Sequence, residues 1–292
     1  MQARTRSNPT PVVAPMSEVR AFRIPSLVKK YLMAGTGLVM VLFVLGHMLG
    51  NLQVFSGSPE AINHYAHFLK SLGELLWVVR IFLLACIIVH VWMAILLAGE
   101  NRAARPQNYA RDVTVQASYA SRTMLWSGLI ILAFILFHLA QFTLLVVEPK
   151  YSHLIYILDG HEVADVYATM ILGFANPAVS GFYILAVWLL CVHLSHGVSS
   201  MFQSVGLRNE KWRQKLNQAA QAYGLIIFVG FASIPTAVLF SEYSDTQLLP
   251  TREIVGQFKA KNWDPAFPTP IGINYFLILP EEQSASAPRS SR

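Results

Sequence analysis

The sequence predicts an all-α membrane protein: five transmembrane helices in a bundle, with the N-terminus cytoplasmic and the C-terminus outside. Three observations carry this. Of 292 residues, 54% are apolar and only 13% are charged, whereas a soluble domain carries roughly 25% charged residues. Five long stretches hold no Asp, Glu, Lys or Arg: 31–59, 81–99, 123–147, 166–207 and 216–241. A helix needs about 20 mostly apolar residues to cross the bilayer core. Finally, the basic residues gather on one side of these stretches.

The composition also excludes several classes. Cys86 and Cys191 lie deep in apolar runs, which leaves no disulfide framework. There is no CxxCH, so haem is not attached covalently. Phosphate loops, dinucleotide fingerprints and nucleophile elbows are missing from the sequence. Soluble-enzyme chemistry is therefore not expected.

Residues 1–26 are polar, lack the apolar core of a signal peptide, and form a cytoplasmic N-terminal segment. The membrane domain covers 27–245, with spans near 31–55, 77–99, 123–147, 179–202 and 219–241. In the fourth run Pro177 marks a helix start and Gly206 an end, which leaves room for a lead-in. The first connection, 56–76, carries apolar residues at helical spacing over Pro59–Leu69. It suits a short amphipathic helix on the outer surface or an ordinary ordered loop. Residues 246–292 read as an extended outer tail with a disordered end. Within it 265–280 is charge-free but too short to span, and is broken by Pro265, Pro268, Pro270 and Pro280.

Orientation follows from Lys and Arg. The N-terminal segment carries Arg4, Arg6, Arg20, Arg23, Lys29 and Lys30. The second connection carries Arg102, Arg105, Arg111 and Arg122, and the fourth Arg208, Lys211, Arg213 and Lys215. The first and third carry only Lys70, Arg80 and Lys150. The positive-inside rule sets the N-terminus in the cytoplasm. The net charge of +6 is thus a topology signal, and no nucleic-acid partner is expected.

Of nine histidines, His47, His90, His138, His193 and His196 fall inside spans. An ionisable residue within a membrane is costly and points to function, although a single neutral imidazole can simply bond a neighbouring helix. At a rise of 1.5 Å per residue, His47 lies about 24 Å and His138 about 22 Å above the cytoplasmic ends of their spans. His90 and His193 both lie about 14 Å up. The four sort into an outer and an inner pair, one member from each of the first four spans. Two histidines from facing helices at one depth suit bis-imidazole haem ligation. A zinc or non-haem iron site recruits Cys or carboxylate partners as well. His196, one turn from His193, is the alternative inner ligand, or could meet a haem propionate or a quinone. His64 and His67 read as solvated, and His153 and His161 carry no signal.

Room for a porphyrin is suggested by Gly37, Gly46 and Gly50 around His47 and by Gly128 ahead of His138. The segments GLVMVLFVLGH and GLIILAFILFH are weak copies of one another. Glycine stripes also serve simple helix packing.

Together these residues resemble a known family. Thr36-Gly37-Leu38 leading to Gly46-His47-Met48, His90 before a basic connection, and His138 with Arg122-Thr123 upstream carry part of the likeness. The rest lies in His193-Leu194-Ser195-His196-Gly197-Val198 running on to Phe202-Gln203-Ser204-Val205-Gly206-Leu207. Over about 25–245 the chain resembles the single-subunit, five-helix, dihaem cytochrome b membrane anchor of succinate dehydrogenase and fumarate reductase. The resemblance implies two haem b groups, with His47 and His138 on the outer (distal) iron and His90 and His193 on the inner (proximal) iron. It implies a flavoprotein and an iron–sulfur subunit on the cytoplasmic face, lipid around the helices, and an inner (cytoplasmic) membrane location. Quinone is the other cofactor, menaquinone sooner than ubiquinone. The chain itself would hold no succinate site and no catalytic residue. Arg122, Lys30 and Arg208 are candidates for the inner propionates. Asn51, Gln53, Tyr65, Glu74 and Gln141 are candidates for quinone near the outer haem, and Arg23, Ser26 and Tyr31 near the inner face. One departure stands out: 166–207 has no acidic residue, and Cys191 and Ser195 occupy the region where some family members place a proton-carrying carboxylate. Three rival readings remain: the cytochrome b anchor of a hydrogenase or formate dehydrogenase, a histidine-based proton-coupled transporter, and a structural anchor.

Overall fold

A computed structural model describes residues 24–103, 119–207, 209–244, 248–261 and 270–275. Arg23, Arg208 and the Arg122 side chain lie outside the described part.

Five helices are long and apolar enough to cross a membrane, as expected of a multi-pass membrane protein. The first is α1 (Ser26–Asn51), which continues as a 3-10 turn, Leu52–Phe55. After α2 (Pro59–Ser71) come α3 (Glu74–Ala103) and α4 (Tyr119–His138), the latter ending in a π turn at Leu139–Thr143. A 3-10 turn, Pro149–His153, leads to β1 (Leu154–Leu158), β2 (His161–Ala164) and α5 (Val166–Phe174). The chain then returns through α6 (Pro177–Ser204) and α7 (Glu210–Tyr243), and closes with α8 (Thr251–Ala260) and β3 (Ile271–Gly272).

The helix ends have local causes. Pro177 sits at the first position of α6, where its missing N–H costs nothing, and Asn176 Oδ1 accepts from the Ala178 N–H. At the other end Gly206 turns the chain at φ 78°. The Leu207 N–H then reaches back to Phe202 O at 3.0 Å, closing the helix end as glycine commonly does. The first connection is a helix, Pro59–Ser71, capped by Ser58. The fourth run does hold a lead-in, and it is the separate helix α5.

Three expectations need correction. The third span stops at Thr143, short of 147, because the π turn is followed by Leu145 at φ 54°. The fifth helix begins at Glu210, well before 219: its first turns are polar and lie ahead of the apolar run, with Asn209 Oδ1 accepting from the Trp212 N–H. The 246–292 tail is not extended over 251–260, which is α8; Ile254 and Val255 on its buried face pack into the core.

Helix α6 packs along α7, α1 along α3, and both α4 and α1 against α6. Gly224 of α7 meets α6 so closely that a Cβ would stand 2.8 Å from the Cys191 carbonyl oxygen and 2.6 Å from Ser195 Oγ. The Tyr223 hydroxyl donates to Val41 O at 2.6 Å and ties α7 to α1. Helix α3 instead exposes Trp77, Ile81, Leu84, Ile88, Trp92 and Ile95. Apolar area of that extent is the signature of a surface made for lipid or a partner.

The best-buried core lies at the end of the molecule where α1 stops. There α2, α5, α8 and the three-stranded sheet β2-β1-β3 form a cap, with Leu154, Ile171, Val238 and Ile254 fully enclosed. Strands β1 and β2 pair antiparallel through Asp159 and Gly160, both at positive φ (51° and 80°), the form of a two-residue hairpin turn. Strand β3 joins β1 in parallel, Leu154 opposite Ile271, so the C-terminal chain completes the cap. Its polar centre is Asn63 with Asp165. Asn63 Oδ1 accepts from the Val166 and Tyr167 N–H groups (2.8 and 3.1 Å), and Asp165 Oδ1 accepts from the Ala168 N–H (3.0 Å). The first three free N–H groups of α5 are thereby satisfied, as a buried helix start requires.

Candidate functional site

Of the five histidines on the long apolar helices, His47, His90, His138 and His193 sit in two groups along α1, α3, α4 and α6. Near the capped end the His47 and His138 rings meet edge to face, with centroids 5.8 Å apart and planes at 83°. Two imidazoles that share one metal ion, each bonded at about 2 Å, have centroids roughly 6 Å apart. Aromatic rings surround this pair. Phe43 stacks on His47 at 5.4 Å, Phe231 stands 5.8 Å from it, and Phe134 and Phe142 flank His138 at 6.0 and 5.8 Å.

Local structure aims these groups. His138 is the last residue of α4, and the π turn after it directs Gln141 inward, where it is buried. Single π turns recur at functional positions because they re-aim a side chain without ending the helix. Tyr183 of α6 completes a short chain: its hydroxyl lies 3.4 Å from His138 Nδ1 and donates to Gln141 Oε1 at 2.9 Å. On α1, Asn51 Nδ2 donates to the His47 carbonyl at 2.7 Å and stands 3.4 Å from His47 Nε2.

The second group is built twice from the same parts. On α3, His90 Nδ1 lies 3.1 Å from Met33 O and 3.4 Å from Thr36 Oγ1, and its ring faces Gly37, whose added Cβ would come within 3.3 Å of Cε1. On α6, His193 Nδ1 lies 3.3 Å from Ser127 Oγ, and its ring faces Gly128, whose added Cβ would come within 3.4 Å of Cε1. So a hydroxyl followed by a glycine on α1 holds the histidine of α3, and a hydroxyl followed by a glycine on α4 holds the histidine of α6. His193 has His90 and His196 as its electrostatic neighbours. His196 Nε2 meets Ser200 Oγ on its own helix at 3.0 Å.

Compared with known protein families, curated proteins and solved structures, the chain matches none. Any reading of function therefore stands on these residues.

The other candidates are spread out. Tyr65 of α2 lies over Gly50, where an added Cβ would come within 2.7 Å of its ring, and Gln141 lies beside Gly173. Gln53 is half-buried and Glu74 exposed. At the opposite end Tyr31 and Lys30 are exposed, and Ser26 donates to Glu100 Oε2 at 2.9 Å. It is Lys29 that is buried there, ion-paired to Glu100. His64, His67 and His161 are exposed. His67, Lys70 and Glu162 border a shallow cavity of about 230 Å³ between α2 and β2. Ser195 Oγ donates to Cys191 O at 2.8 Å within α6. Among the described residues no three His, Cys, Asp or Glu side chains converge as a zinc or non-haem iron site would need.

The sequence assigns no role to Met33, Ser127 or Tyr183, and it marks Thr36 only as part of the family resemblance, without its contact to His90. A signal for two of them was present: Thr36 stands ahead of His47 at the same offset as Ser127 ahead of His138. The repeat noted above begins one residue earlier, with the hydroxyl. Tyr183 has no such marker.

Proposed function

We propose that the chain is the cytochrome b membrane anchor of a succinate:quinone oxidoreductase, holding two haem b groups between four helices. The observation that carries this reading is the gathering of four histidines from four helices into two groups, His47 with His138 and His90 with His193.

The donor set fits the group. Each site offers imidazole without carboxylate or thiolate, which suits haem better than zinc. Gly37 and Gly128 let the His90 and His193 rings pack directly against the α1 and α4 backbones, and an added Cβ at Gly46, next to His47, would meet nothing within 4 Å. A backbone carbonyl such as Met33 O is a usual outer partner of a metal-bound imidazole, and Ser127 Oγ takes that place at His193. His193 is preferred to His196 as ligand because it alone repeats the arrangement of His90. Ligation through His47 Nε2 requires Asn51 Nδ2 to give up its 3.4 Å contact there, while its bond to the His47 carbonyl remains.

When bound, haem supplies one-electron transfer. The chain's own residues do the rest. His47 with His138 and His90 with His193 would each hold one such group through two imidazoles, a donor set that would suit electron transfer in preference to oxygen binding. Phe43, Phe231, Phe134 and Phe142 keep water from the outer pair. Gln141, Tyr183 and Tyr65 supply polar groups in an apolar setting near the capped end, as a quinone pocket requires. With the N-terminus in the cytoplasm, His90 and His193 form the inner site. The flavoprotein and iron–sulfur partners then dock at the end that carries Lys29 and Glu100, in a cytoplasmic membrane.

One observation favours a second reading. The repeated hydroxyl–glycine–histidine units of α1–α3 and α4–α6 resemble the internal repeats of transporters, where histidines could relay protons. A dithionite-reduced minus oxidised spectrum of the purified chain separates the two. The anchor reading expects b-type absorption bands; a folded, colourless protein would reject it and leave the transporter.

A further inference from the structure

The hydrogen bonds around the inner histidines have a direction. Thr36 Oγ1 donates to Leu32 O at 2.7 Å, and Ser127 Oγ donates to Met124 O at 3.1 Å. A hydroxyl has one hydrogen. With that hydrogen engaged by a backbone carbonyl, each oxygen can only accept from the imidazole. Met33 O, a carbonyl, likewise only accepts. The Met33 carbonyl thus sets the His90 proton on Nδ1, and His193 takes the same tautomer when Ser127 donates to Met124 O. Nε2 is left with its lone pair, and among the described residues neither Nε2 has a hydrogen-bond partner.

We propose that Ser127 is the positioning residue that fixes the tautomer of His193 and tunes the inner haem, with Thr36 as its weaker counterpart at His90. The proposal rests on the two-haem reading above. The asymmetry comes from the partners. His90 keeps the Met33 carbonyl at 3.1 Å when Thr36 is removed. His193 has Ser127 as the hydrogen-bond partner of its Nδ1 among the described residues. A hydrogen bond at Nδ1 makes the imidazole a stronger donor to its metal. A stronger donor favours the oxidised iron, so loss of that bond raises the reduction potential of the group it holds.

The test compares Ser127→Ala, Ser127→Thr and Thr36→Ala in the full chain, purified from membranes with any subunits that accompany it. Each is titrated for both potentials, and the low-spin ferric signals are recorded by electron paramagnetic resonance. The expected result is an upward shift of one potential and a changed signal for one haem in Ser127→Ala. Both should return in Ser127→Thr, with a smaller shift in Thr36→Ala. If Ser127→Ala loses a haem, retention by Ser127→Thr supports the proposal and loss in both overturns it. Unchanged potentials, or two potentials that move together, overturn it as well. A wild-type chain without haem would instead reject the two-haem reading, so the two failures are distinguishable.

Discussion

On the two-haem reading, a leucine at Gly128 is expected to remove one haem and leave the other. Gly128 faces His193 so closely that even a methyl group would stand 3.4 Å from its ring, and Gly37 faces His90 at 3.3 Å. Alanine at either position asks the ring to yield by a few tenths of an ångström. Leucine fills the ring's own volume, and helix backbones on both sides leave it little room to shift, because protein interiors are close-packed. The expected series is therefore graded. Gly128→Ala and Gly37→Ala keep two haems per chain. Gly128→Leu and Gly37→Leu each drop to one, and the lost haem is the same in both. Gly46→Ala, where the added methyl meets nothing within 4 Å, keeps both. Haem content by the pyridine haemochrome method reads the result. If the two leucine variants lost different haems, His90 and His193 would not share a site.

The second large effect lies in the cap. Asn63 is fully buried and holds three partners: the N–H groups of Val166 and Tyr167, and Asp165 Oδ1, to which its Nδ2 donates at 3.1 Å. Asn63→Leu keeps the size and strands the Val166 and Tyr167 N–H groups, while Asp165 Oδ1 keeps the Ala168 N–H. A buried group left without its hydrogen bond costs about 1–3 kcal/mol, so the loss is about 3 kcal/mol or more for the start of α5. Amide exchange in Val166–Phe174 is expected to quicken by roughly a hundredfold, with the helices away from the cap unaffected.

Asp165 adds a pH dependence to the same region. Burial pushes its carboxyl above the usual aspartate range, against the lowering effect of bonds from Ala168, Tyr275 and Asn63. A carboxyl raised in the folded state stabilises the fold fully below its unfolded pKa, and that contribution is lost as pH rises through the folded value. Protection of α5 should thus fall as pH climbs out of the acid range. Asp165→Asn, which carries no charge at any pH, should flatten the curve. Tyr275, whose hydroxyl donates to Asp165 Oδ2 at 2.6 Å, ties the C-terminal chain to this group, so β3 should follow α5 in its exchange.

The sequence was informative where one physical signal dominates. Charge-free runs located five spans because charge in the bilayer core is expensive, and Pro177 and Gly206 marked the ends of α6. The same signal missed the start of α7, since Glu210–Lys215 is helix beyond the apolar run. It also missed the π turn after His138, which leaves no trace in hydropathy. The β-hairpin was readable: the apolar run Leu154–Leu158, with β-branched Ile155 and Ile157 and aromatic Tyr156, meets Asp159-Gly160, a favoured pair for such turns, but an all-helical expectation passed over it. Helix α8 was hidden by its short length and by the prolines that follow. Among site residues, the depth argument paired His47 with His138, and their rings do meet. The groups that hold the rings were harder to see, because a threonine or serine inside a span ordinarily bonds its own helix, as Ser195 does here.

The proposed arrangement of four histidines in two bis-imidazole haem sites can be counted. The most direct measurement is haem per chain, together with the reduced-minus-oxidised spectrum, in the wild type and in His47→Leu, His138→Leu, His90→Leu and His193→Leu. Two haems are expected in the wild type and one in each variant. His47→Leu and His138→Leu should keep one spectral species, and His90→Leu and His193→Leu the other. A wild type with no haem, or variants whose losses do not group in these pairs, would contradict it.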